Sequence, residues 1–284
     1  MSNRVSAGLV AVLSLCVAFA YGSSLAAAQS TQEVTTAPAT QEETAASSAA
    51  KNEKGKGGKN KKGKGGKNKK GKGGRNGDEY QKNFPKEPFI NTGENPYFIL
   101  QPGYVLELAG EEDKEKIDLT ITVTNETEVV DGVLTRVVEE REEKDGTLYE
   151  VSRNYFVLGA RTNNAYYFGE DVDFYNKKGE VISHEGSWRS GVDGARYGLQ
   201  MPGEVRVGQR YYQEVAPKVA LDRAEHVSKT ADVNTPAGRF RNTLKVRETT
   251  PLEPKIEEFK FHAKRVGLVK DGAVRLVRYG YLGS

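Results

Sequence analysis

The chain has a single cysteine among its 284 residues, and Cys16 lies inside the apolar run of residues 7–20. If this run is removed as the hydrophobic part of an export signal, the mature chain has no cysteine. Disulfides, thiol catalysis and cysteine-ligated metals are then excluded. No later apolar stretch reaches the ~18 residues of a membrane helix, so the sequence predicts no anchoring span in the mature chain.

Histidine is also scarce. The chain has three, His184, His226 and His262, with no His-x-His or His-x-x-x-His spacing, so a zinc site would need the fold to gather them. There is no Gly-x-Ser-x-Gly turn to present a serine nucleophile, although His184 and Glu185 are adjacent as a base and its orienting acid. The sequence predicts no cofactor and favours a non-enzymatic protein.

Residues 1–28 have the pattern of a secretory signal peptide. One arginine precedes the apolar run, and Ala26–Ala28 offers a small-residue cleavage site before Gln29. Lipoprotein signals place a small residue just before their cysteine, whereas here Leu15 stands at that position. The sequence therefore predicts export without lipidation, to the periplasm or the outside of a bacterium.

Two low-complexity segments follow the signal. Residues 29–50 are mainly Ser, Thr, Ala, Gln and Glu, with little to bury, which predicts a disordered spacer. Residues 51–76 repeat Gly-Lys-Gly-Gly-Lys-Asn-Lys-Lys with a period of eight and carry a net charge of +11. Glycine disfavours regular structure and neighbouring lysines repel, so this segment is expected to be a disordered cationic string.

The cationic string is expected to contact an anionic polymer or surface through counterion release. It has no aromatic residue, which disfavours stacking on single-stranded nucleic acid, and its lysines would read no base sequence. A solvated linker without a partner is the alternative. The candidate polyanion-binding side chains are Lys56, Lys59, Lys61, Lys62, Lys64, Lys67, Lys69, Lys70 and Lys72.

Residues 77–284 are predicted to form a single β-rich globular domain, and they carry a net charge of −6. Ile117–Thr124 alternates apolar and polar side chains, which is the two-residue period of a strand. Asp-Gly pairs and other Gly- or Pro-containing turns predict five hairpins. Their turns lie at residues 131–132, 145–146, 271–272, 176–179 and 236–238.

Strands are expected every eight to twelve residues from about Phe98 to Tyr281. That many strands should curl rather than lie in one flat sheet. The predicted fold class is therefore all-β, an antiparallel curved sheet or half-open barrel preceded by a disordered amino-terminal tail. A membrane barrel is not expected, because residues 137–143 hold five acids and bases. The glycine-rich residues 186–208 are expected to form a long irregular loop.

Two motifs near the carboxyl end resemble a pattern of uncharacterised exported bacterial β-rich domains. Residues 235–240, Thr-Pro-Ala-Gly-Arg-Phe, resemble the T-P-A-G-x-F hairpin of that family, and residues 261–269 resemble its Y-A-x-G-V-G-L-V segment. The chain departs from the pattern at His262, Lys264 and Arg265. The resemblance implies export and a layout similar to lipoprotein-carrier-like half-barrels, which tend to hold apolar or lipid ligands. It implies no catalytic residues.

The middle of the chain is rich in aromatic residues that fill a core or line a ligand groove. Adjacent strand residues face opposite ways, so one ring in each of the pairs at 166–167 and 211–212 is expected to point outward or into a second cavity, and some exposed tyrosine is expected. Core packing is the default interpretation of these rings, and a ligand groove is the alternative. The candidate ligand-binding side chains are Tyr167, Trp188, Tyr197, Tyr212 and Arg189.

Asp171 and Asp173 are the candidate metal ligands. On a strand they share one face about 7 Å apart, a spacing that could hold a hard cation such as calcium. A plain solvated strand face is the alternative.

The sequence favours an exported, non-enzymatic binding or scaffold protein whose cationic tail contacts anionic surfaces. One alternative is a periplasmic carrier of a lipid or other apolar ligand, which the resemblance and the aromatic residues suggest. Another is a calcium-dependent module or hydrolase centred on Asp171, Asp173 and His184.

Overall fold

The computed structural model describes residues 79–283, and every helix or strand in that range is a β-strand. The predicted all-β fold class is confirmed. The predicted signal peptide, spacer and cationic string, with its nine candidate lysines, lie outside the described residues. The strands are β1 (Phe89–Ile90), β2 (Gly93–Asn95), β3 (Phe98–Leu100), β4 (Tyr104–Glu112), β5 (Glu115–Val130), β6 (Val133–Lys144), β7 (Thr147–Gly159), β8 (Ala165–Tyr175), β9 (Val181–Ser183), β10 (Trp188–Arg189), β11 (Arg196–Met201), β12 (Arg210–Tyr212), β13 (Glu214–Val215), β14 (Arg223–Thr235), β15 (Gly238–Thr249), β16 (Glu257–Ala263), β17 (Gly267–Asp271) and β18 (Val274–Tyr281).

Thirteen strands form one continuous antiparallel path in the order β12-β14-β15-β16-β17-β18-β4-β5-β6-β7-β8-β11-β13. The two ends of this path, β12 and β13, are consecutive in the chain and separated only by Gln213. The sheet therefore curls back on itself into a nearly closed barrel, as expected for so many twisted strands. Strands β1, β9 and β10 add to its wall, and β2 and β3 form a separate hairpin.

Most of the predicted hairpin turns are present. The Asp-Gly pairs at 131–132 and 145–146 join β5 to β6 and β6 to β7, with positive φ at all four residues. Residues 176–180 join β8 to β9, and Pro236 with Ala237 joins β14 to β15. The turn predicted at 271–272 is displaced by one residue, because Asp271 still pairs with Val274 and only the glycine takes positive φ.

The expectation of an irregular loop over residues 186–208 is wrong in part. Strands β10 and β11 lie within it, and both pair with β8. Glycine permits this arrangement at Gly198, where a Cβ atom would lie 2.1 Å from the carbonyl oxygen of Gln213. The glycine therefore allows β11 to approach closely the backbone between β12 and β13.

The barrel interior is built by strand alternation. The register places Leu106 opposite Ile121 and Leu108 opposite Leu119 on β4 and β5, and it pairs Val123 of β5 with a valine of β6. All these side chains are buried. Residues directly opposite in an antiparallel pair point to the same face, so the apolar positions of neighbouring strands form one inner surface.

A second apolar layer lies on the other face of β8. Tyr166 and Phe168 both pack edge-on against Phe89 with ring centroids 5.5 Å apart. The expectation of exposed tyrosine in the 166–167 and 211–212 pairs is wrong, because the outward rings are covered by residues 80–90, here called the amino-terminal strap. The exposed fractions are 0% for Tyr166 and 9% for Tyr212.

Glu87 attaches the strap to the barrel. Its carboxylate accepts hydrogen bonds from the backbone N–H groups of Arg161 and Thr162, at 3.0 and 3.1 Å. It also accepts from the hydroxyl groups of Thr162 and Tyr166. Burial alone would raise the pKa of Glu87, but these hydrogen bonds outweigh it and lower the pKa below its usual value.

Candidate functional site

A cavity of about 60 Å³ lies inside the barrel next to the β2–β3 hairpin. The hairpin and the loop within it contribute Tyr97, Phe98 and Ile99, and the barrel strands contribute further aliphatic and aromatic side chains. Four polar side chains interrupt this apolar lining. They are Glu140, Gln200, Lys260 and His262, here called the polar floor.

The hairpin is fixed over the cavity by polar contacts. Asn95 is 1% exposed, and its Nδ2 donates to the carbonyl oxygens of Asn163 at 2.7 Å and Met201 at 3.3 Å. Its Oδ1 accepts from the backbone N–H of Tyr97 at 2.9 Å. The backbone N–H of Arg265 donates to the carbonyl of Pro96, between β2 and β3, at 2.9 Å. The hairpin is therefore attached to three segments of the barrel.

The polar floor is assembled from distant parts of the sheet. Glu140 lies on β6, Gln200 on β11, and Lys260 and His262 on β16. Four strands separate β6 from β16 along the sheet. The floor therefore exists only because the sheet curls and brings these walls together across the interior.

Lys260 is the charged centre of the floor and is 3% exposed. Its Nζ lies 2.9 Å from Oε2 of Glu248 and 3.5 Å from Oδ2 of Asp271. Burial alone would lower the pKa of Lys260, but the carboxylates of Asp271 and Glu248 outweigh it and raise the pKa well above its usual value. Lys260 is thus protonated and is compensated by protein carboxylates.

The other titratable groups of the floor are neutral at pH 7. Burial raises the pKa of Glu140 to about 8, although Lys260 opposes the shift. Burial, together with Lys260, lowers the pKa of His262 to about 3. Within residues 79–283, Nδ1 of His262 has no hydrogen-bond partner, and the residue is 6% exposed. The floor therefore presents a carboxylic acid and a neutral imidazole.

A buried tyrosine–histidine pair also lies in the barrel. The hydroxyl of Tyr211 lies 2.9 Å from Nε2 of His226, and the two residues are 1% and 0% exposed. Burial lowers the pKa of His226 to about 4. Since neither residue lines the cavity, this pair is assigned to the core.

The five predicted ligand-binding residues do not form one site. The rings of Tyr167 and Trp188 contact each other edge-on, with centroids 5.2 Å apart. Tyr197 stacks on Phe168 in the outer layer at 4.5 Å, and Tyr212 packs against Tyr80 of the strap at 6.1 Å. Sequence reasoning identified aromatic positions but not which face each one occupies.

Arg189 lies in an ion-pair network on the outer face of the barrel. It contacts Oδ2 of Asp171 at 2.5 Å and Oε1 of Glu128 at 3.1 Å, and it donates to the hydroxyl of Tyr155 at 3.0 Å. Arg189, Asp171 and Trp188 line an open surface pocket of about 260 Å³. The guanidinium in that pocket is already paired with two carboxylates.

The candidate metal ligands Asp171 and Asp173 are held in separate pairs. Asp171 accepts from Arg189 and from the hydroxyl of Tyr155, while Oδ1 of Asp173 lies 2.6 Å from Nδ1 of His184. A cation at Asp171 would have to displace Arg189. Within residues 79–283, no group of three or more His, Cys, Asp or Glu side chains is placed to hold a metal ion.

The residues suggested for hydrolysis are not arranged as a triad. His184 contacts Asp173 and the carbonyl of Val172, while the Ser187 hydroxyl accepts from the backbone N–H of Val172 at 2.8 Å. The Glu185 backbone N–H donates to the Ser183 hydroxyl at 3.0 Å. These contacts support the local turn between β9 and β10.

Sequence reasoning missed the polar floor. Glu140 lies within the charged stretch of residues 139–143, which has the composition of an exposed strand. One signal was present, because His262 departs from the pattern that residues 261–269 resemble. The imidazole of His262 lines the cavity.

Comparisons of the chain with protein-family models, with curated proteins and with solved structures found no match. Within residues 79–283 there is no helix long and apolar enough to cross a bilayer. The resemblance at residues 235–269 stays a prediction.

Proposed function

We propose that the protein is an exported binding protein whose barrel interior holds a small ligand with an apolar body and one polar end. The observation that carries this proposal is the cavity under the β2–β3 hairpin, with apolar walls and a floor of buried polar side chains. Binding sites for small molecules combine these two features. A purely structural core would gain more stability from apolar residues at Glu140 and His262, since buried polar groups are costly.

The cavity size limits the ligand. An apolar cavity of about 150 Å³ holds one benzene molecule, so a cavity of about 60 Å³ takes only a few non-hydrogen atoms. A longer ligand would enter only if the hairpin moved away from Asn163 and Met201. The proposal therefore includes a hairpin that opens for larger ligands.

Titration calorimetry of the full-length protein with 1-alkanols from ethanol to 1-hexanol tests the proposal. Each added methylene should increase affinity about fourfold, from ~0.8 kcal/mol of apolar burial. The increase should stop at the chain length that fills the space under the hairpin. If no alkanol binds, or if affinity is independent of chain length, the proposal fails.

We further propose that the cationic string holds the protein at a polyanionic surface. The observation that favours this role is the net charge of +11 over residues 51–75, next to a domain of net charge −6. The logarithm of the binding constant for immobilised heparin should fall linearly as the logarithm of salt concentration rises. A variant lacking residues 51–75 should elute at much lower salt, and equal elution of both proteins would contradict this role.

A further inference from the structure

We infer that the polar end of the ligand is uncharged, a hydroxyl, ketone or amide group that hydrogen-bonds to Glu140, Gln200 and His262. This inference rests on the proposed function of the cavity and specifies the chemical class of its ligand. It follows from how the charges of the floor are already paired and from which of its polar atoms are free.

The positive charge of the floor is already compensated. Lys260 lies 2.9 Å from Glu248 and 3.5 Å from Asp271. Glu248 in turn accepts a hydrogen bond from Nε2 of Gln213 at 3.1 Å. An anionic ligand would face these carboxyl groups as well as the ammonium group. Lys260 therefore does not act as a free cation for a ligand carboxylate.

A cationic ligand is disfavoured because the cavity lining, within the described residues, holds a positive charge and no free negative charge to pair with it. Lys260 itself lines the cavity and would repel an ammonium group. Glu140 lines the cavity, and burial raises its pKa to about 8, so its carboxyl group is mainly protonated at pH 7 and offers little negative charge to a cation. Burying an uncompensated charge of either sign is costly, whereas an uncharged polar group needs only hydrogen-bond partners.

The floor offers such hydrogen-bond partners. The side-chain oxygen of Gln200 accepts from Nε2 of Gln213 at 3.4 Å, so its amide nitrogen is the end available to a ligand. Within the described part of the chain, Nδ1 of His262 is buried without a partner. The protonated Glu140 can donate its O–H. These three groups supply both donors and an acceptor to a ligand with one oxygen function.

A matched series of head groups on one alkyl chain tests the inference. 1-Butanol, butyramide, butanoate and butylammonium are titrated into the full-length protein at pH 7. The two uncharged compounds are expected to bind at least tenfold more tightly than the two ions. If either ion binds as tightly as 1-butanol, the inference is overturned while the proposed function stands. If none of the four binds, both are overturned.

Variants of Glu140 test whether this residue causes the preference for uncharged ligands over ions. Glu140→Leu removes the hydrogen-bonding group, so the preference for 1-butanol over the ions should fall at least fivefold. Glu140→Gln is uncharged and polar and should restore it. The matched control is Glu139→Leu, which lies on the outer face of the same strand beside Arg153 and should change nothing. If Glu140→Leu keeps the full preference while folded, the inference is wrong.

Discussion

Lys260→Met removes the ammonium group that Glu248 and Asp271 share inside the barrel. Methionine fills a similar volume, so the change mainly removes the charge. Glu248 and Asp271 would then lose the ammonium group that lies 2.9 Å and 3.5 Å, respectively, from their carboxyl oxygens. Removing one partner of a buried ion pair typically costs 3–5 kcal/mol, because it leaves an uncompensated buried charge.

The expected loss depends on pH with a defined sign. Burial raises the pKa of Glu140 to about 8, although Lys260 opposes the shift. Between its ordinary pKa and about pH 8 the folded state keeps this proton while the unfolded chain releases it, so stability falls as pH rises through that range. Without Lys260 the carboxyl groups are still harder to ionise. The loss should be about 3–5 kcal/mol at pH 8 and smaller at pH 5.

Urea denaturation at pH 5 and pH 8, followed by the fluorescence of Trp188, measures this loss from the midpoint at constant m-value. Lys116→Met, at an exposed position of β5, is the control and should change stability by less than about 0.5 kcal/mol. A loss below about 1 kcal/mol at pH 8, or equal losses at both pH values, would refute the account of the floor.

Three further predictions follow from individual side chains. Glu87→Ala leaves the N–H groups of Arg161 and Thr162 without their acceptor and should cost about 1–3 kcal/mol in urea denaturation; no change would mean that the strap is not held by this carboxylate. Asn95→Ala should speed hydrogen exchange in residues 93–100 and raise the association rate of 1-hexanol, because the hydrogen bonds from Asn95 to the barrel are lost. Unaltered exchange would show that Asn95 does not hold the hairpin over the cavity. Glu140→Gln should stabilise the protein relative to the wild type, and this gain should be larger at pH 9 than at pH 5 by on the order of 2–5 kcal/mol. The reason is that the pKa of Glu140 in the folded wild type, about 8, lies far above the ordinary 4.5. An equal effect at both pH values would show that Glu140 is ionised in the folded protein.

The outline of the barrel could be predicted from the sequence because its signals are local. Asp131 and Asp145 each precede a glycine, and the resulting turns fix two hairpins. The alternation of Ile117–Thr124 identifies a strand with one apolar face. These turns and strands depend on residues that are close in the sequence, so they can be predicted without knowledge of the tertiary structure.

The candidate site could not be predicted, because its residues meet only across the closed sheet. Glu140 and Lys260 are 120 positions apart and lie on strands separated by four others. The exposure of the outward tyrosines was also misjudged, since Tyr166 and Tyr212 are covered by the strap, which has no strong sequence signal of its own. Phe89, in a two-residue strand, packs against Tyr166, and Tyr80 packs against Tyr212.

A ligand held in the barrel interior would lie beside Val138, which lines the cavity. Val138→Phe should fill this space, while Val129→Phe adds the same ring at a position that is 60% exposed. Overpacking costs about 1–3 kcal/mol, so urea denaturation must first show that both variants fold.

Native mass spectrometry of the full-length proteins, purified from the cells that produce them, then compares bound mass directly. A small-molecule adduct is expected on the wild type and on Val129→Phe, and none on Val138→Phe. An adduct of equal occupancy on all three proteins, or no adduct on any of them, would contradict ligand binding in the cavity.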